Sequence, residues 1–154
     1  MKKRKLLILT ISIALIFIII ITFKQIISVE PQITALAELR DVPNETFMKE
    51  IYIETSISNA KNCIRKIEIP NLLAIDKIDK VRSKEAGTSE INNSNSAKAW
   101  SMGKITFDMR GLTFEQLKEC YLEDKITINI VTSKNKKLNY SYSIGELLVN
   151  KTNK

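Results

Sequence analysis

The chain has 154 residues, a formal net charge of +7, two cysteines and no histidine. Without histidine there are no Ser-His or Cys-His nucleophile pairs, no imidazole metal ligands and not the commonest general base. The charge is not the signature of a nucleic-acid binder. Lys2, Lys3, Arg4 and Lys5 supply four of the 24 basic residues; the remaining 20 face 17 acidic ones, with no arginine stripe among aromatics.

After the basic cluster, Leu6 to Phe23 runs without a charge, interrupted only by Thr10, Ser12 and Thr22. At about 1.5 Å per residue a helix of that length spans roughly 27 Å, just short of a hydrocarbon core, and Lys24 can reach up to the headgroups. The stretch after the run, Phe23-Lys24-Gln25-Ile26-Ile27, lacks the small-x-small pattern of a cleavage site. A lipoprotein cysteine is missing there too, since the first cysteine is Cys63. The reading is a retained, single-pass signal-anchor with its basic end cytoplasmic and the rest of the chain outside. A secreted protein with a cleaved signal peptide is the alternative. Heavy use of Ile, Lys and Asn is the composition of an AT-rich genome and points to a bacterium.

Strand patterns dominate the chain beyond the apolar run. Gln32 to Leu39 alternates through Ile33, Ala35, Ala37 and Leu39. In "FMKEIYIETSIS", Phe47, Lys49, Ile51, Ile53, Thr55 and Ile57 share one parity, predicting Phe47, Ile51, Ile53 and Ile57 in the core and Glu50 and Glu54 in solvent. "SNAKN" turns into "CIRKIEIP", where Ile67 and Ile69 continue the pattern until Pro70. "NLLAIDKIDKV" fits either a strand or a short helix. Ser83 to Lys98 has almost no apolar content and is expected to be a solvated loop or a contact surface. Ile105, Phe107 and Met109 alternate before Gly111. The period then changes: Thr113 and Gln116 fit a capping box, and Phe114, Leu117, Cys120 and Tyr121 fall on one helical face. A hairpin across Ser133 to Lys136 sets Ile126, Ile128 and Ile130 against Leu138, Tyr140, Tyr142 and Ile144.

The expected architecture is mainly β: an anchor over residues 1–30, a small antiparallel β-sandwich with one short helix over 31–150, and a polar tail at 151–154. The helix before the penultimate strand resembles the corner helix of some immunoglobulin-like domains. Cys63 and Cys120 are spaced like an immunoglobulin bridge, but Trp100 lies too far from Cys63 for that pattern. Two separate thiols are expected, with a bridge as the alternative.

Candidate chemistry is sparse. "SNAK" at Ser58 to Lys61 matches the S-x-x-K of penicillin-recognising serine enzymes, but sits in a turn without its partner motifs. Asp76 and Asp79, or Glu119, Glu123 and Asp124, place carboxylates together without a calcium-loop pattern. Tyr140 and Tyr142 share a strand face, and with Tyr52 on a neighbouring strand they would form a sugar or peptide platform, although tyrosine on a half-buried strand is more often core or rim. No residue is assigned a catalytic, cofactor-binding or metal-binding role, and no cofactor is expected. The expected partners are the lipid bilayer, through residues 6–23, and another envelope protein, with no nucleic acid. The function expected is a non-enzymatic accessory or binding domain at the cell surface. A small carboxylate-based envelope enzyme is the alternative.

The topology has a direct test. Protease added to wall-stripped cells should destroy a C-terminal tag. A protected tag, or mature protein released into the medium, would reverse the assignment.

Overall fold

Alternating isoleucines build the larger of two sheets. The computed structural model describes residues 30–152. The basic cluster, the apolar run 6–23 and residues 153–154 lie outside that span. Among the described residues no helix is long and apolar enough to cross a membrane.

Strands β1 (Gln32–Val42) and β2 (Glu45–Ser58) form a long antiparallel pair, and β5 (Ala99–Asp108) pairs with the other side of β2. Ala37 and Leu39 from β1, Ile51, Ile53 and Ile57 from β2, and Ile105 and Phe107 from β5 turn one face of this ladder into core. Strand β4 (Ser83–Ile91) adds at one edge, and the three-residue β8 (Leu148–Asn150) adds parallel to β1 at the other. The second sheet has the order β3-β6-β7, from β3 (Ile64–Glu68), β6 (Lys125–Val131) and β7 (Lys137–Ser143). Its Ile67, Ile126, Ile128 and Ile130 meet the first sheet in one hydrophobic cluster, giving a sandwich-like, mainly β domain. The hairpin pairs as its sequence predicts, with Ile126, Ile128 and Ile130 opposite Tyr142, Tyr140 and Leu138.

Helix α1 (Phe114–Cys120) joins the two sheets at the end where β5 stops and β6 starts. Its capping box is formed: Gln116 N–H donates to Thr113 Oγ1 at 3.2 Å, and Thr113 N–H donates to Gln116 Oε1 at 2.9 Å. Leu117 and Tyr121 are fully buried beneath it. The Tyr121 hydroxyl donates to the Leu72 carbonyl at 2.6 Å, pinning a residue whose φ of 58° is unusual for leucine. A single helical turn at Ile144–Leu147 lies against the end of α1. A Cβ on Gly145 would stand 2.2 Å from the Lys118 carbonyl oxygen, so only glycine fits there. The ambiguous segment after Pro70 is a 3₁₀ turn over Leu73–Lys77.

Two expectations fail for identifiable reasons. Phe47 is 58% exposed, and Met48 is buried instead. Between Asp41 and Val42 the pairing on β2 jumps from Lys49 to Glu45, an irregularity that breaks the parity of that strand. Phe47 then lies beneath the Arg110 guanidinium, 5.3 Å from the ring centre. The polar stretch Ser83 to Lys98 is also not a loop throughout, because Ser83–Ile91 is strand β4. A strand with neither face covered has no hydrophobic period to betray it. Ala86 pairs with Ile105 on the inward parity yet is exposed, since the three-stranded sheet does not cover β4.

The core assignment predicts a sharp contrast. Phe107→Ala should cost roughly 3–5 kcal/mol in chemical denaturation, whereas Thr106→Ala on the outer face should be mild. Thr55 is fully buried and its hydroxyl has no hydrogen-bond partner. Thr55→Val should therefore stabilise the domain, by about 1 kcal/mol. Equal losses at 106 and 107, or destabilisation by Thr55→Val, would mean the inner face is misplaced.

Candidate functional site

Most charged side chains that suggested chemistry in the sequence hold the backbone instead. Asp76 accepts from the backbone N–H groups of Arg82 and Ser83, both at 2.7 Å, and from the Ser83 hydroxyl. Asp79 takes a forked pair from Arg82 at 2.7 and 2.6 Å, while Arg82 also donates to the carbonyls of Asp108 and Arg110. This knot fixes the start of β4. Burial works to raise the Asp76 carboxyl, but the three hydrogen bonds together hold it below its ordinary value. The Arg82 contact lowers Asp79. Glu119, Glu123 and Asp124 line an open groove of about 440 Å³ with Lys77 and Cys120. Among the described residues, no three Asp, Glu or Cys side chains are placed to share a metal ion. Burial and the nearby Asp124 raise the Cys120 thiol above its ordinary value. Cys63 is buried in the β2–β3 turn, and both thiols are free.

The remaining sequence candidates separate in space. Ser58 closes β2, and Lys61 sits in a turn whose Asn59 and Asn62 have φ of 58° and 59°, so the S-x-x-K pattern opens no helix. The tyrosine platform also dissolves. Tyr140 and Tyr142 pack on the core from β7, whereas Tyr52 lies on the outer face of the other sheet. There its hydroxyl donates to Glu54 at 2.6 Å and Arg40 covers its ring at 3.6 Å, so it belongs to a polar ladder.

What the fold does assemble is an edge. Among the described residues β4 pairs with no strand but β5, so beyond Ser83, whose N–H is taken by Asp76, its other side offers backbone groups without a strand partner. Its middle, Ala86-Gly87-Thr88-Ser89, carries no charge and no proline. On the inward side the edge borders a groove of about 390 Å³ shared with β3, lined by Ile67 and Ile69 from β3 and the residues just after it, Thr88 and Glu90 from β4, and Ser101 from β5. On the outward side the register sets Ile91 beside Trp100 and Ser89 beside Met102.

The far end of this edge is fixed by Arg65. It shares the inward parity of Ile67 and is only 8% exposed. Its guanidinium donates to the carbonyls of Ala60 at 3.3 Å, Ser96 at 3.1 Å and Asn93. Asn92 returns a bond to the Arg65 carbonyl at 3.2 Å. Sequence reasoning missed both the edge and this clamp. The parity of Arg65 with Ile67 and Ile69 was the one legible signal, since an arginine on an inward parity must find acceptors. No protein-family model matches the chain, and the search of curated proteins finds no match either.

The Asp76 knot makes an acid prediction. Carboxyls lowered in the folded state contribute stability that is present above their unfolded value and lost as pH falls through the folded one. Melting temperature should therefore hold steady from about pH 5 to 8, as no histidine titrates there, and fall below about pH 4. Asp76→Asn should destabilise at pH 7 and flatten that acid limb. A variant with the full wild-type acid limb would show that Asp76 is not a contributor.

Proposed function

We propose that this chain is a membrane-tethered, extracytoplasmic binding module that captures an extended segment of another envelope protein along β4. The observation that carries the reading is the open edge of β4 beside the β3–β4 groove. An added strand would complete the sheet through main-chain hydrogen bonds and send alternate side chains into that groove, which is how β-strand addition combines affinity with selectivity. The charge-free middle of β4 lacks the lysines and prolines with which edge strands usually discourage pairing. A binding role accords with the engagement of Asp76, Asp79 and Arg82 in structural bonds. The charge-free, largely apolar run at 6–23 supports retention in the bilayer, with the domain outside. The strand order β4-β5-β2-β1 against β3-β6-β7 supports an immunoglobulin-like assignment, since it matches the D-E-B-A and C-F-G sheets of that fold with β8 appended.

A photo-crosslinking residue at Thr88 in intact cells tests the edge, with Ser141 on the opposite sheet as control. A discrete partner adduct is expected from position 88 only. Thr88→Lys with Ser89→Lys, introduced with the crosslinker moved to Gly87, should remove it without changing the melting temperature. Equal adducts from 88 and 141, or survival of the adduct in the lysine variant, would refute capture at β4. An adduct with a second copy of the chain would redefine the edge as a self-association surface.

A further inference from the structure

The two ends of the domain carry opposite charge. At one end lie the β2–β3 turn, the β4–β5 loop and the β6–β7 turn, as the registers Ile57 with Ala99, Ile91 with Trp100, and Ile64 with Val131 require. Across residues 59–63, 91–100 and 131–137 these segments hold Lys61, Lys98, Lys134, Lys136 and Lys137 and no Asp or Glu, with Glu30 the one acidic residue where the chain enters at residues 30–31. All five lysines are exposed. The buried Arg65 adds its charge behind them, held by backbone carbonyls. At the opposite end, residues 41–47, 69–83, 108–125 and 143–152 hold ten Asp and Glu against seven Lys and Arg, a net acidic balance that includes Glu115, Glu119, Glu123, Asp124 and Glu146 around α1.

Apolar side chains flank the lysine end. Ile64 is 73% exposed beside one turn and Ile91 66% exposed beside the loop, with Trp100, the chain's single tryptophan, next to Ile91. Lysines projecting beyond exposed isoleucine and tryptophan are the composition of a surface that meets headgroups. The chain also enters the domain here, because Gln32 pairs with Ser58 beside the β2–β3 turn. Residues 24–31 separate the apolar run from β1 and can reach at most about 30 Å when fully extended.

We infer that the lysine-bearing loop end of the domain rests on anionic phospholipid headgroups of the membrane that tethers it. This rests on the tethered reading and adds an orientation to it. Exposed lysines within a Debye length of an anionic surface are attracted, while the acidic end is repelled and turns outward. A tether of any geometry raises the effective concentration of the domain at the bilayer, so weak contacts suffice.

The test uses the full chain reconstituted into phosphatidylcholine vesicles or into vesicles with phosphatidylglycerol, each containing a headgroup spin-labelled lipid. Trp100 is the intrinsic reporter; Asn95→Trp in a Trp100→Phe background gives a second one at the loop. Quenching of either reporter should be at least about twofold stronger in the anionic vesicles at about 0.1 M salt and should fall to the phosphatidylcholine level at about 1 M. Lys61→Glu, Lys98→Glu and Lys137→Glu together should have the effect of high salt. Flotation keeps the two readings apart. Protein that floats with both vesicle types but is quenched equally in them retains its tether and overturns the lipid inference. Protein that floats only with anionic vesicles and is released by salt supports lipid docking and refutes the span. Failure to float with either refutes both. Binding of soluble polyphosphate, without extra quenching in anionic vesicles, would assign the lysines to an acidic polymer and overturn the inference.

Discussion

A buried guanidinium, that of Arg65, ties the two sheets together at one end of this domain. Arg65 belongs to β3 in the smaller sheet, yet its donors reach the carbonyls of Asn93 and Ser96 in the loop that closes β4 onto β5 in the larger one. A buried charge is costly unless its donors are met; here backbone carbonyls meet both terminal amino groups of the guanidinium, while Nε is buried without a partner. The bond from Asn92 back to the Arg65 carbonyl closes the clamp. The clamp adds to the ladder with β5, to the Asp76 bonds at the start of β4, and to the Ala60 and Asn62 N–H groups that donate to the Ala97 and Ser94 carbonyls of the loop. Together with the backbone bonds from Ala60 and Asn62, Arg65 fixes the loop at the far end of β4 and the border of the groove between β3 and β4.

The opposite end is built on a different principle. There Asp76, Asp79 and Arg82 collect backbone donors and carbonyls into a knot, and Tyr121 fastens α1 to the Leu72 carbonyl. Burial raises the Tyr121 phenol far above its ordinary value, so it remains a donor at any physiological pH. Asp76, Asp79 and Arg82 are spent on internal geometry. At the other end Lys61, Lys98 and Lys137 are exposed on loops and turns that include the left-handed Asn59 and Asn62.

Where one face of an element is buried, its sequence was readable. The period-two isoleucines of β2, β5 and β6 and the capping box of α1 all lie where their pattern requires. The pattern failed where its physical cause was missing. β4 buries neither face, so composition alone suggested a loop, and Phe47 was assigned inward because no local signal marks the irregularity opposite Val42. The candidate site was less legible than the fold. An open edge is a property of what is not paired, and the lysine end gathers residues from three segments far apart in sequence.

The clamp is tested most directly by amide hydrogen exchange on Arg65→Met, which keeps apolar volume at position 65 while removing the donors. Exchange should accelerate through residues 92–98 and into β4 from its Ile91 end, while Ile126 to Ile130 of β6 keep wild-type protection. If β4 and its loop remain as protected as in the wild type, Arg65 does not hold the edge. If β6 loses protection equally, Arg65 supports the whole fold and the clamp is not local.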